Sequence, residues 1–320
     1  MRPLLSIVLA LLAFAGCDRV TSPHSWDAGV DSLASLWERV DAGTVNYNAV
    51  AGTGPENIFI VGDQGTILHW DGTALVPEAS GTTANLRGVA TVGEWVVAVG
   101  EGGALLRREA GVWIVDPPVT TAVLNGVYMG VGYVVAVGEQ GTILVFAGDV
   151  WGPVPNTRSD NYYAVTDTNE GIIVVGALGV VVHIDAPART IVSQNAVVGY
   201  TKVLAGAVRY GAGAYLVGVD GGLYFWANNQ GTKIPGLPQK FARGIGLVAG
   251  TAWIVGHEGL VASMPQSGKV APTLIPVPDD RWLLGVYGAV DYDVWMVGRS
   301  GLILRGPPGV HGIPDGGIRD

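Results

Sequence analysis

Few side chains in this sequence are placed for chemistry. Five acidic residues, Asp63, Glu101, Glu139, Asp220 and Glu258, each fall one or two positions after a recurring Val-Gly pair. Carboxylates at matching places in a repeat could form a broken ring able to take a cationic partner or a polar ligand such as a glycan. Asp and Glu are equally good solvated turn residues. Arg87 and Arg243 recur at matching places upstream of that pair, where an arginine could receive a carboxylate; the third arginine that a sialidase-type site needs is not evident. Nothing pairs two carboxylates as glycoside hydrolysis requires. Of the five histidines, His24 and His311 lie near the ends of the sequence and His257 directly follows Gly256. His69 and His183 each stand seven residues after a repeat glycine. In a ring of repeats those two would sit nearly opposite each other, so they read as surface residues at strand ends and not as ligands of one metal. No Gly-x-Ser-x-Gly elbow supports nucleophilic catalysis. The expectation is no catalytic group, no metal and no cofactor.

Cys17 is the one cysteine, which excludes a disulfide framework and a cysteine metal site. It follows a short basic Met1-Arg2, an apolar run from Leu4 to Ala15, and Gly16. That is the layout of a bacterial secretory signal over residues 1–16. It resembles a lipoprotein signal, which implies lipid attachment at Cys17. Phe14 stands where such signals carry an aliphatic residue. Cleavage after Ala13-Phe14-Ala15 and an uncleaved helix remain the other readings. Residues 17–35, with Pro, Ser and Asp and little periodicity, read as a tether. The expected location is outside the cytoplasm, lipid-anchored to the cell membrane or outer membrane.

Apolar residues make up 49% of the 320 positions and charged residues 14%. The one long apolar run is too short for a stable transmembrane helix, so the apolar content must be spread over many short buried strands. The 49 glycines agree, because many strands need many tight turns. A net charge of −9 and the lack of any Lys/Arg cluster argue against a nucleic-acid partner.

The organisation that must position these residues is a repeat. Val-Gly-x-x-Gly begins at Val61, Val99, Val137, Val175, Val217, Val255 and Val297, at spacings of 38, 38, 38, 42, 38 and 42 residues. Before each copy lies a β-branched or aromatic run such as Ile58-Phe59-Ile60 or Trp95-Val96-Val97; after it comes another, such as Thr142-Ile143-Leu144. Two such runs around a glycine-flanked turn make a hairpin, and the glycines are expected to supply φ > 0. Upstream of each hairpin is a strand with a small residue before an aliphatic one (Arg87-Gly88-Val89, Asn125-Gly126-Val127), and downstream a fourth, often opened by tryptophan (Trp113, Trp151). Trp95, Trp253 and Trp295 read as packing residues at equivalent depth. Four short antiparallel strands per period of about 40 residues is the signature of a propeller blade. The fold class is therefore all-β, a single, monomeric seven-bladed β-propeller over residues 36–305. The last copy lacks a fourth strand, and residues 36–41, with Trp37, are expected to complete it. Residues 306–320 read as a tail.

Blade symmetry puts the five acids on one face of the disc. Asn125, Tyr163 and Trp282, with Arg87 and Arg243, lie at or near the connectors of that same face. Val137 to Leu144 and Leu124 to Val127 resemble the blades of the photosystem II assembly/stability factor family, and are similar to bacterial BNR-type and YVTN-like repeat propellers, secreted lipoproteins among them. The resemblance implies the propeller architecture and a non-catalytic scaffold. The arginine-rich patch of the photosynthetic members does not carry over, since arginines here are few and scattered. Of the sialidase Asp-box only fragments remain, at Trp70-Asp71-Gly72 and Ala110-Gly111-Val112-Trp113. The function expected is binding or scaffolding at the bacterial envelope, with a protein or a glycan as partner. A carbohydrate-active hydrolase or lyase at the channel mouth is the alternative, and a surface-layer or adhesion component a third reading.

Overall fold

The computed structural model describes residues 37–40, 42–264, 271–290 and 293–306. The signal over 1–16, Cys17, the tether, His24, and the tail from residue 307 with His311 lie outside the described residues.

The repeat folds as seven sheets of four antiparallel strands. Six blades are continuous in sequence, spanning 47–78, 86–115, 124–153, 162–196, 204–234 and 242–274. The seventh takes three strands from 283–306 and its outermost from Glu38–Arg39, with Glu38 opposite Arg305 and Arg39 opposite Leu304. Val40 N donates to Ile303 O at 3.0 Å, extending that seam. The ring is thus closed by joining strands from the two ends of the repeat region, which covers the edge that Ile303–Gly306 would otherwise expose.

Apolar side chains on both faces of each blade explain why the strands lack polar alternation. Seven hydrophobic clusters form, one at each junction between neighbouring blades. The outer-strand tryptophans fasten adjacent blades. Trp113 packs edge-on against Phe59 at 6.2 Å and donates to Glu78 Oε2 at 2.6 Å. One repeat on, Trp151 donates to Asp116 Oδ2 at 2.8 Å. Trp37 does the corresponding job at the closure, meeting Trp253 edge-on at 6.1 Å. Trp95 departs from the expectation: it opens its strand opposite Val92 and is 52% exposed, whereas Trp253 and Trp295 sit mid-strand and buried.

The two glycines of the repeat serve different needs, which corrects the single reason expected for both. The first is extended, with φ of −158° at Gly62 and −169° at Gly100, so any residue could adopt its backbone. What excludes a side chain there is proximity. A Cβ on Gly138 would lie 2.0 Å from the Val123 carbonyl oxygen, which accepts the Glu139 N–H at 2.9 Å. The second does need the left-handed region, as at Gly141 (φ +71°), where a Cβ would also press on the connector carbonyl of Arg158.

Gly138→Ala should therefore lower the stability of the ring by roughly 1–3 kcal/mol or more through overpacking. Gly54→Ala, where a Cβ meets nothing within 4 Å, should leave it nearly unchanged. Urea unfolding midpoints of the two variants check this; equal midpoints would contradict it.

Candidate functional site

Each innermost strand carries a β-bulge at the same place. The register shifts between Tyr47 and Ala49, Leu86 and Gly88, Leu124 and Gly126, Tyr162 and Ala164, Leu204 and Gly206, Ala242 and Gly244, and Leu283 and Gly285. The extra residue is Asn48, Arg87, Asn125, Tyr163, Ala205, Arg243 and Leu284 in turn. A bulge re-aims its side chain, and here it does so seven times around one axis. Arg243 of blade 6 lies over the ring of Tyr163 in blade 4, 5.7 Å from its centroid, passing the short Ala205 of blade 5. Contact between non-adjacent blades shows that these residues line the channel. Four of the residues singled out in the sequence, Arg87, Asn125, Tyr163 and Arg243, belong to this ring.

The hairpin turns form a second ring at the same end. Its first turn positions are Asp63, Glu101, Glu139, Ala177, Val219, His257 and Arg299. Each N–H donates to the carbonyl of the residue just before an inner strand, as Asp63 N does to Asn46 O and Arg299 N to Trp282 O, both at 2.9 Å. The turn ring is therefore fixed to the bulge ring by backbone alone. Its side chains run from acidic on blades 1–3 to basic and aromatic on blades 6 and 7.

The five acids do not form one ring. Asp220 and Glu258 occupy the second turn position. Asp220 accepts from Tyr200 Oη at 2.9 Å and from Gly222 N at 3.1 Å. Glu258 pairs with Lys240 at 3.3 Å and is largely exposed. Two of the first-position acids are clasped from within their own blade. Asp63 accepts from Asn46 Nδ2 at 2.7 Å and Asn48 Nδ2 at 2.8 Å; Glu101 accepts from Asn85 Nδ2 at 2.9 Å and from Arg87 Nη2. The same asparagines reach the preceding blade, where Gln64 N donates to Asn85 Oδ1 at 2.9 Å and Ser300 N to Asn46 Oδ1 at 3.0 Å. Asn125 Nδ2 bridges onward to Tyr162 O at 2.9 Å. These carboxylates and amides hold the mouth in shape, and Glu139 is the acid left without such a clasp among the described residues.

On blades 6 and 7 stands a stack of which the sequence reading placed only Trp282 on this face. His257 is sandwiched between Phe241 (4.6 Å between centroids, 9° between planes) and Trp282 (3.2 Å, 17°), and the Arg299 guanidinium covers the far face of Trp282 at 3.5 Å. Phe241 and Trp282 each directly precede an inner strand, so the signal available was their equivalence in the repeat. Burial draws the pKa of His257 down, and the charges of Arg299 and Arg243 act with it against Glu258. Burial likewise pulls the pKa of Arg243 below its ordinary value, with the charge of Arg87 adding to it and Tyr163 opposing.

The other two repeat histidines are not the surface residues expected. His69 stacks on Phe59 at 4.2 Å, with Nε2 2.8 Å from Asn57 Oδ1 and Nδ1 3.1 Å from Glu78 Oε1. His183 is buried in the equivalent place and its Nε2 finds no partner. Their register makes them third-strand residues facing the neighbouring blade, opposite Phe59 and Ile173. Among the described residues no group of three or more His, Cys, Asp or Glu is placed to hold a metal. At the opposite end of the disc a cleft between blades 2 and 3 is lined by Val92, Trp95, Met129, Val131, Tyr133 and Phe146, another feature the sequence reading did not register.

No family model matches the chain, and no curated protein matches it. Solved structures do. The WD40 β-propeller domain of Doa1 superposes with a TM-score of 0.71 at 11% identity, over 84% of this chain and 94% of that one. YCF48 bound to a D1 peptide gives 0.68 at 14% identity, over 87% and 97%. YCF48 from Cyanidioschyzon merolae gives 0.68 at 14%, over 84% and 98%. The propeller architecture expected from the repeat is thus met at the level of fold. Identities this low establish the propeller and nothing about ligands.

The stack carries a pH dependence. The folded-state pKa of His257 lies below that of the unfolded chain, near 6.5, so below that pH the unfolded chain binds more protons. Its contribution is fully present above about pH 6.5 and is lost as pH falls through the folded value. The melting temperature should fall further between pH 7.5 and pH 5 in the wild type than in His257→Gln. Parallel profiles would refute the assignment.

Proposed function

We propose that this chain is a non-enzymatic binding propeller, exported and held at a bacterial envelope through Cys17, that presents its channel mouth to a protein partner. The observation that carries the reading is topological. The strand Glu38–Arg39 runs antiparallel to Ile303–Gly306, which itself leaves the turn ring for the opposite end of the disc. Trp37 and Gly306 therefore both lie towards the end away from the mouth. Chain joining Trp37 to Cys17 enters at that end, which leaves the mouth free for a partner.

The composition of the mouth supports the same reading. It combines a graded charge, an aromatic stack and unclasped polar groups over a broad end of the disc, as protein-binding surfaces do. Its clasped acids are spent on holding turns, with Asp63 and Glu101 each taking two donors. One structural neighbour, YCF48, is bound to a D1 peptide. That is a property of that protein, and it gives a precedent for a propeller of this shape taking a peptide.

Photocrosslinking in intact cells tests this directly. A photoreactive residue at Glu139, at the mouth, should give a discrete protein adduct; one at Val131, which is 95% exposed at the opposite end, should not. Adducts from Val131 alone would reverse the proposed face. No protein adduct from either position would remove the protein-partner reading and leave a glycan or small molecule.

A further inference from the structure

Arg243 is a cation that the fold leaves without an anion. Protein surrounds it on nearly every side, with only part of its surface open to the channel. Among the described residues no carboxylate pairs with it; its contact is the face of Tyr163 at 5.7 Å. A second cation, Arg87, stands on the same bulge ring and acts on it as a like charge. Arg87 is answered by Glu101, though its Nε remains buried without a partner. The ring therefore holds two guanidinium groups and one answering carboxylate. A desolvated, unpaired charge is expensive, and an apolar side chain of similar volume would ordinarily be more stable in its place. Nothing in the backbone requires arginine there, because the equivalent bulge positions hold Asn, Tyr, Ala and Leu without changing the strand.

We infer that the channel mouth receives a single carboxylate group, bound by the planar fork of Arg243 with Tyr163 and Arg87 beside it. This rests on the mouth being the binding face. A guanidinium fork matches a carboxylate bidentately. The charge of the entrance narrows the choice of anion. On the turn ring above, Asp63, Glu139 and the Arg87-paired Glu101 outnumber the cation Arg299, so a phosphate dianion or a polyanion approaches against a net negative entrance. A monocarboxylate meets less repulsion, and the stack of Phe241, His257 and Trp282 offers its apolar body a ring surface. The carboxylate could belong to a free small molecule or to a docking peptide. The chemistry at Arg243 is the same for both.

The experiment is a thermal-shift and tryptophan-fluorescence titration of the purified full chain with sodium acetate, against sodium chloride and sodium phosphate at matched ionic strength. Acetate should raise the melting temperature and perturb the fluorescence of Trp282; chloride and phosphate should do markedly less. Arg243→Met should melt higher than wild type without added anion and lose the acetate response. Arg243→Lys, which keeps the charge but not the fork, should bind acetate at least about ten-fold more weakly. If Arg243→Met melts lower than wild type, the guanidinium is a packing element over Tyr163 and the inference is wrong. An acetate response of equal size in wild type and Arg243→Met means an adventitious ion only and also overturns it, as does a stronger response to phosphate. Tetraalanine with a free C-terminus, compared with its amide, separates the sources: tighter binding than acetate assigns the carboxylate to a peptide, and equal binding to a small molecule. If no anion binds while a photoreactive residue at Glu139 still captures its partner, this inference falls and the binding face stands.

Discussion

Seven inner strands converge on one axis, and between neighbours there is room for backbone and at most a methyl group. The position after each bulge is Ala49, Gly88, Gly126, Ala164, Gly206, Gly244 and Gly285. A Cβ on Gly285 would lie 3.2 Å from the Ala49 Cα, and one on Gly126 would lie 3.3 Å from the Ala164 Cα. Such approach brings successive blades close enough for the apolar faces behind them to meet, and the seven clusters at the blade junctions depend on it. The same crowding presses six of the hairpin turns against the carbonyl before an inner strand, which excludes a side chain from the first repeat glycine; at Gly218 the Tyr200 hydroxyl does so. One geometric constraint thus sets the small residue, the glycine and the turn in every repeat.

That is why the fold was legible in the sequence. The residues the constraint dictates are glycines and alanines at fixed intervals, and a spacing of 38 or 42 residues survives any drift in the strands between. Ring closure was legible for the same reason, since the missing outer strand of blade 7 and the spare tryptophan at position 37 are both departures from a counted pattern. The mouth was legible only in part. Bulge residues such as Arg87 and Arg243 could be located by equivalence, but no periodic signal says that a bulge turns them inward. The acids were over-grouped because one residue separates the first turn position from the second, and that step moves Asp220 and Glu258 out of the ring formed by Asp63, Glu101 and Glu139. The histidines were misplaced for a related reason. His69 and His183 stand near strand ends in sequence, yet each is paired across a hairpin to a fully buried residue.

A repeat that fixes backbone so tightly leaves little freedom elsewhere, and the freedom that remains is concentrated at the bulge and the first turn position. Their side chains differ from blade to blade while the bulge register and the hydrogen bond from the first turn N–H do not. Some of this variation maintains the ring, as when Asn46 and Asn85 tie a turn to an inner strand and to the preceding blade. The rest has no such task. Arg243 contributes no hydrogen bond to the scaffold among the described residues, and the stack from Phe241 to Arg299 joins only two blades.

The asymmetry of the mouth then follows from where chemistry is permitted. A closed ring of near-identical units would present a near-symmetric face if every position served the fold. Departure from symmetry at the mouth falls at positions the fold does not dictate, and on the turn ring and its stack it sorts by charge: acids on blades 1 to 3, Arg299 and the aromatic rings on blades 6 and 7. A face graded in this way has a direction across the channel, so a bound group with a charged end and an apolar body has one favourable orientation. The closing strands, Glu38–Arg39 and Ile303–Gly306, carry the described chain away towards the other end of the disc, so the mouth is built from turns, bulges and the residues that lead into the inner strands. Architecture and chemistry meet at Arg243, where the backbone that builds the ring holds an unanswered charge at its centre.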